Sequence, residues 1–497
     1  MHRLIVMLPN NLGDVIMALP VLEAIKAARP HARISFFVEE GYEGGLLGNR
    51  CCDRILKFPR KSIKASATAP QWYEGVASLR SIVDEIKSDG CDAVINLAQH
   101  PYVSYLATLL DASRTFGQRL LREGNHALPD VWSQYLYAVP FARRYNALHA
   151  TDVYCRIAGV TSGHGGTAVT ITPDEKTRAA NWLADHGCPP DERMAVVQPG
   201  AAWSSKRWPS GAFIALGKRL ARDGYHIVVT GAASERPVAS AIADALGERR
   251  LLAAGELSFR ETMALLPYGR FVVCGDTAVM HAAAALGVKV YALFGPTSPV
   301  ETGPYGNGHV VVAGRCPKRP CFAAECTTRQ CMQSISPDTI YGCIRGETVV
   351  GRECDIFTTG FSGGTFRTEP LGGPPHPYYD KAGAALTRKA FELEYAADPT
   401  DGDSPVERSR SSLFIGQCGK MERLLGDYLA DRNPERLRAF ERQRAEAAAG
   451  DGIISFWNAL LNIRLNSVPL LDPVAGIGLS IEQCRFTAEQ ISRAVAP

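Results

Sequence analysis

The stretch Gly275–Gly287, GDTAVMHAAAALG, places a carboxylate, a hydroxyl and an imidazole at the head of an Ala-rich segment that follows the apolar run RFVVC. The first turn of a helix carries backbone N–H groups with no intrahelical acceptor, so a helix starting near Asp276 can take an anion, with Thr277 adding a hydroxyl. His281 lies about one turn further along. The plain alternative is that Asp276 caps the helix and His281 is a satisfied core side chain. A second stretch, NNLGDVIMALP, follows the first apolar run of the chain. Gly13 permits a tight turn there, and Asp14 stands at the start of a helix-like segment. Asp14 is either a cap, favoured by the helix dipole, or a general base facing a cleft.

Two further stretches sit at the ends of strand-like runs. QPGAAWSSKRWP follows MAVVQ. Its small residues Gly200, Ala201 and Ala202 let backbone N–H groups approach a phosphate, to which Lys206 supplies a point charge. An ordinary polar loop with an exposed Lys is the alternative. In VVTGAASERP, Glu235 follows another strand. An acid in that place can hold ribose hydroxyls, or it can simply be a solvated residue at a helix start. A fifth group is Cys316, Cys321, Cys326 and Cys331, spaced C-x4-C-x4-C-x4-C. Four thiols so close together can fold around one structural zinc or iron ion, although common zinc motifs use tighter pairs. Reduced thiols or labile disulfides are the alternatives, and stable disulfides are disfavoured in the cytosol.

These residues need elements to hold them. Residues 1–160 alternate strand-like runs (LIVML, RISFFV, DRILKF, DAVINL) with helix-like ones, which reads as a parallel sheet covered on both faces. Residues 161–345 repeat the rhythm more regularly, from TAVTIT through MAVVQP, HIVVTG, RLLAA and RFVVCG to VKVYALFG. The fold class is therefore α/β, with two Rossmann-like doubly wound domains. Ligands in such sheets bind beyond the carboxyl ends of the strands, where each quoted stretch falls. Residues 346–497 change character: TTGFSGGTFRTEPLGGPPHP reads as a linker or irregular segment, and the rest as a helical extension that packs on the core or makes a homo-oligomer, with acceptor binding or membrane-surface docking as the functional alternative.

Composition narrows the classes. The chain has 497 residues, 54 basic and 51 acidic, for a net charge of +3. That balance argues against bulk nucleic-acid binding. No apolar run reaches the roughly 18 residues of a membrane span, and the N-terminus lacks a signal-peptide pattern. A cytoplasmic protein is expected, with peripheral contact at the inner face of the inner membrane left open. GxGxxG and Walker patterns are missing, which disfavours a dinucleotide oxidoreductase or a P-loop enzyme.

Taken in order, GDVIMALP, PGAAWSSKRWP, GDTAVMHAAAALGVKVYALFGPTSP and GPYG resemble the heptosyltransferase family of GT-B glycosyltransferases. The resemblance covers residues 1–345 and extends to the cysteine loop 316–331, since many members carry such loops ending in Cys-Met. It implies two domains facing across a cleft and an inverting transfer of heptose from ADP-heptose to a lipopolysaccharide core or related acceptor. Asp14 would be the catalytic base. Lys206, Asp276, Thr277 and His281 would contact the donor, and Glu235 its ribose. No cofactor would be required for catalysis. Ala201 and Ala202 stand where some members have hydroxyl residues, so backbone N–H groups would serve there. Another nucleotide sugar, a protein acceptor, or a non-catalytic sugar-nucleotide-binding scaffold are the competing readings.

Overall fold

The computed structural model describes residues 2–67, 72–121, 126–141, 143, 146–163, 169–189, 191–347 and 353–371, with isolated helical positions between 420 and 488. Two compact units divide the chain. The first comprises Met1–Leu79, His149–Cys155 and Gly159–Tyr378, and the second Arg80–Leu148, Arg156–Ala158 and Tyr379–Pro497.

The first unit begins with β1 (Arg3–Met7), α1 (Leu12–Ala28), β2 (Arg33–Glu39) and β3 (Arg54–Phe58). These strands pair in parallel, β1 with β2 and β2 with β3. The apolar residues of β1 and β2 are buried on both faces, as a covered parallel sheet requires, while β3 at the edge buries Leu56 and Phe58. Two helices follow, α2 (Arg60–Ala67) and α3 (Trp72–Ser88). The second unit contains β4 (Ala93–Asn96), α4 (Pro101–Leu109), β5 (Arg114–Gly117), β6 (Arg119–Leu120), β7 (His126–Ala127) and α5 (Val131–Ala138). There β4 and β5 run parallel, while β6 and β7 form an antiparallel pair. A further helix, α6 (Ala150–Ile157), spans the change of unit.

The larger sheet lies wholly in the first unit. After α7 (Pro173–Asp185) come β8 (Met194–Gln198), α8 (Ser210–Arg222), β9 (His226–Val229), α9 (Arg236–Asp244), β10 (Arg250–Leu252), α10 (Phe259–Leu265), β11 (Phe271–Gly275), α11 (Ala278–Ala285) and β12 (Val290–Phe294). They are followed by α12 (Pro299–Thr302), β13 (Val310–Gly314), α13 (Gln330–Gln333), α14 (Pro337–Arg345), β14 (Cys354–Ser362) and β15 (Thr365–Pro370). The strand order is β10-β9-β8-β11-β12-β13-β14-β15. The chain runs outward from β8 in one direction and then in the other from β11, so the order reverses between these two strands. That reversal opens a crevice beyond their carboxyl ends. Helix α7 is fixed by a capping box, Thr172 with Glu175, which satisfies two otherwise orphan donors. The sheet's core centres on Val197, Val229, Val273, Leu293 and Val312, with Trp208, Phe213 and Met332 packed on it.

Two sequence expectations are corrected here. Residues 169–172 of TAVTIT form no strand; Thr172 instead ends the coil as the N-cap of α7. The segment read as a linker after residue 346 contains the hairpin β14–β15, which extends the sheet antiparallel from β13. Gly363 and Gly364 both have positive φ (55° and 75°). That is the two-residue turn whose twist suits a hairpin; in composition alone, its glycines are indistinguishable from those of a linker. The expected helical extension lies almost entirely outside the described residues. Among the described residues, no helix is long and apolar enough to cross a membrane.

Candidate active site

Asp14 is the third residue of α1, behind an N-cap, Asn11, that makes no side-chain capping bond. The carboxylate is therefore free of the capping role considered for it. Gly13 explains how closely it is packed. A Cβ at Gly13 would lie 3.0 Å from His281 Cδ2 and 3.8 Å from the Ala278 Cα. The missing side chain lets the start of α1 sit directly against the start of α11. The Asn10 side chain stands near enough to the Asp14 carboxylate to favour its charged form. Burial pushes the Asp14 carboxyl above its ordinary range. His281, Lys206 and Asn10 oppose that shift, and Asp276 adds to it.

Asp276 follows β11 directly and is 8% exposed. Lys206, at the end of a single 3-10 turn over Ser204–Lys206, donates from Nζ to Asp276 Oδ2 at 2.8 Å and to its carbonyl at 3.3 Å. The same ammonium lies 4.6 Å from the Trp203 ring centroid, within cation–π range. His281 Nε2 is 3.7 Å from Asp276 Oδ1. Burial works against the charge on Asp276, but Lys206 and His281 outweigh it and hold the carboxyl well below the usual range. The other His281 ring nitrogen, Nδ1, is buried and has no hydrogen-bond partner among the described residues.

Thr277 is the N-cap of α11, yet its side chain does not cap. Its hydroxyl donates to Gln198 Oε1 at 3.0 Å. Gln198 ends β8, is 5% exposed, and donates from Nε2 to Glu235 Oε2 at 3.4 Å. Glu235 also accepts the Ala232 N–H at 2.9 Å. Its carboxylate occupies the space over Gly200, where a Cβ would lie 2.0 Å from the carboxyl carbon. Ala201 is buried, Ala202 is exposed, and the Ala201 carbonyl accepts from Arg207 Nε at 3.0 Å. The N–H groups of Ala201, Ala202 and Trp203 find no acceptor among the described residues.

Together with Gln198, the residues singled out from sequence form two sets at the sheet's reversal point. One is Asp14, His281, Asp276 and Lys206; the other is Thr277, Gln198, Glu235 and Gly200. Three participants were not singled out: Gln198, Asn10 and Trp203. The signal for Gln198 was present, as a lone polar residue closing the apolar strand MAVVQ. That strand is buried at every position, so an amide there must find partners inside the protein.

The four cysteines do not fit a metal shell. Cys331 is buried in α13, Cys316 is half-buried, and Cys321 and Cys326 are exposed. Among the described residues no group of three or more His, Cys, Asp or Glu side chains could hold a metal ion. Equal spacing suggested convergence, but the loop bends by left-handed residues at Phe322 and Arg329, and its backbone is spent on the neighbouring site. The Pro296 carbonyl accepts from the N–H groups of Cys321 and Phe322, both at 3.0 Å. The Ala323 carbonyl accepts from Ser205 Oγ at 2.5 Å, and the Ala324 carbonyl accepts from the Ser205 N–H at 3.3 Å. The loop therefore braces the turn that presents Lys206.

Residues 79–332, just over half of the chain, match the family described as glycosyltransferase family 9 (heptosyltransferase). The chain belongs to glycosyltransferase family 9. This family 9 enzyme is 26% identical to lipopolysaccharide heptosyltransferase 1 of Pseudomonas aeruginosa over 331 residues, spanning 65% of this chain and 87% of that protein. In fold it resembles a family 9 glycosyltransferase from Veillonella parvula, with a TM-score of 0.58 and 23% identity over 69% of this chain and 96% of the other. It also resembles the ADP-heptose lipopolysaccharide heptosyltransferase II of Escherichia coli, with a TM-score of 0.51 and 20% identity, covering 70% and 98%. The glycosyltransferase is thus of GT-B-like α/β fold.

Proposed function

We propose that this glycosyltransferase moves heptose from ADP-heptose to a lipopolysaccharide core or related acceptor by single, inverting displacement, with Asp14 as general base. The observation that carries the reading is the close packing of Gly13, at the start of α1, on His281 and Ala278 of α11, which brings Asp14 within electrostatic reach of His281, Asp276 and Lys206. The donor and acceptor named for its relatives agree with it. An acceptor hydroxyl must lose its proton as it attacks the anomeric carbon. A carboxylate whose proton affinity is raised by burial is a better base than an exposed one. The departing ADP gains negative charge. Lys206, the unpaired N–H groups of residues 201–203 and the uncapped start of α11 supply positive potential for it. Glu235 would accept from ribose hydroxyls, and His281, whose Nε2 faces Asp276, would contact the donor. A structural zinc or iron in the cysteine loop forms no part of this reading. An acceptor of that kind fits a cytoplasmic enzyme, with peripheral contact at the inner face of the inner membrane left open.

The test is release of ADP from ADP-heptose in the presence of a heptose-deficient lipopolysaccharide acceptor. Asp14→Asn should lower kcat by about 10²–10⁴-fold while ADP binding by calorimetry is retained. Because burial raises the Asp14 pKa, the acidic limb of the wild-type rate profile should lie above the range of an ordinary carboxylate. Full activity in folded Asp14→Asn would sink the assignment of the base.

A further inference from the structure

Threonine at an N-cap normally turns its hydroxyl oxygen onto the N–H of the second or third helical residue. Thr277 does not. Its hydroxyl has one proton, and that proton goes to Gln198 Oε1 at 3.0 Å. A phosphate oxygen can only accept, so in this arrangement the Thr277 hydroxyl has nothing to give it. What the arrangement leaves available is the backbone at the start of α11. Beside it stands the His281 ring, 5% exposed, with Nδ1 unpartnered among the described residues. The other end of the same amide reaches Glu235, whose carboxylate is wedged over Gly200 and Gly231.

We infer that Gln198 is a positioning residue for the nucleotide donor: its buried amide ties Thr277 to Glu235, holding the N-terminus of α11 uncapped for a diphosphate and setting the acid that meets the ribose. The inference rests on the donor-site reading above. The donor's phosphates are gripped by N–H groups and Lys206, and Thr277 acts through its backbone. This accounts for a phosphate loop that carries Ala201 and Ala202: the site does not rely on hydroxyl donors. Without the amide, Thr277 is free to cap its own helix and so to compete with the ligand for the same N–H groups. Glu235 at the same time loses a partner that fixes its rotamer.

Gln198→Met keeps the length of the side chain and removes both hydrogen bonds. The expected result is ADP binding by calorimetry weakened about tenfold. KM for the nucleotide sugar should rise by a similar factor, with kcat within about twofold, since Asp14 is untouched. The melting temperature should hold or rise, because self-capping by Thr277 is stabilising. A residue with only a packing role would instead lower the melting temperature and leave KM alone. A double-mutant cycle with Glu235→Gln should be non-additive, and adding Thr277→Val to Gln198→Met should restore part of the ADP affinity by removing the competing cap. Unchanged ADP affinity and KM in folded Gln198→Met, or strict additivity with Glu235→Gln, overturns the inference. Wild-type protein that binds neither ADP nor a nucleotide sugar overturns the donor-site reading itself.

Discussion

Gly200 is held to its identity by a side chain thirty-five positions away. A methyl group there would lie 2.0 Å from the carboxyl of Glu235, so Gly200→Ala must push the acid out of its place. On the proposed donor reading, the expected outcome is a loss of ADP and ADP-heptose affinity of about tenfold, or about 1.4 kcal/mol, with kcat little changed. Calorimetry alongside steady-state kinetics checks it; a fall in kcat with unchanged KM would contradict it. At this scale the sequence was informative where chemistry-bearing types stand out against apolar surroundings, as with Asp14, Asp276, Thr277, His281 and Lys206. It was silent on pairing. Nothing in SSKRWP says that Lys206 is matched by Asp276 at 2.8 Å, because the two are brought together by adjacent strands and not by spacing along the chain.

Among elements, the β14–β15 hairpin carries more than its edge position suggests. Phe366 donates its backbone N–H to Asp152 Oδ2 at 3.0 Å, and its ring packs on His149 and Tyr305. Tyr305 in turn donates to Asp152 Oδ1 at 2.7 Å. The turn at Gly363–Gly364 needs positive φ at both residues. Gly364→Val should cost about 1–2 kcal/mol and lower the melting temperature by several degrees, whereas Gly364→Asn, which tolerates that conformation, should lose much less. Equal melting temperatures for the two variants would show that the turn does not hold the hairpin. The parallel strands and their helices were readable because buried strands are continuous apolar runs. The hairpin was not, since its strands are short of apolar residues on the exposed face and its turn is made of the same glycines that mark a linker. The cysteine loop's bracing role was hidden for a related reason: regular spacing says nothing of where a loop's carbonyls are anchored.

Acid should weaken the whole molecule in two stages. His149 accepts the Thr151 N–H at Nδ1 (3.1 Å) and faces the Gly303 carbonyl from Nε2 (2.9 Å), a pattern that only the neutral ring satisfies. Burial pushes it down to about 3, with His281 adding to the shift. His309 accepts from the Val290 N–H at 3.2 Å and is pushed down to about 4, by burial and then Lys289. The unfolded chain takes up these protons from about pH 6.5 downward. The folded chain does so only near the lowered values, so stability falls as pH drops through that window. Asp276 and Glu175 have depressed pKa values; their stabilisation is full above about pH 4 and is lost below it. Melting temperature should therefore decline already between pH 7 and 5, and His309→Asn should flatten part of that slope. A flat wild-type profile over this range would refute the first stage.

The Lys206–Asp276 pair has a kinetic consequence. A bare lysine in the crevice would broadcast its charge and draw in anions from a distance. Here the ammonium is already answered by a carboxylate, with Asp14 close by, so an approaching diphosphate meets little far field. Under the proposed donor reading, recognition would be postponed to contact, when Lys206 exchanges or shares its partner. Such a site would select by fit after arrival, and abundant small anions that offer charge without the nucleoside would gain little hold on it.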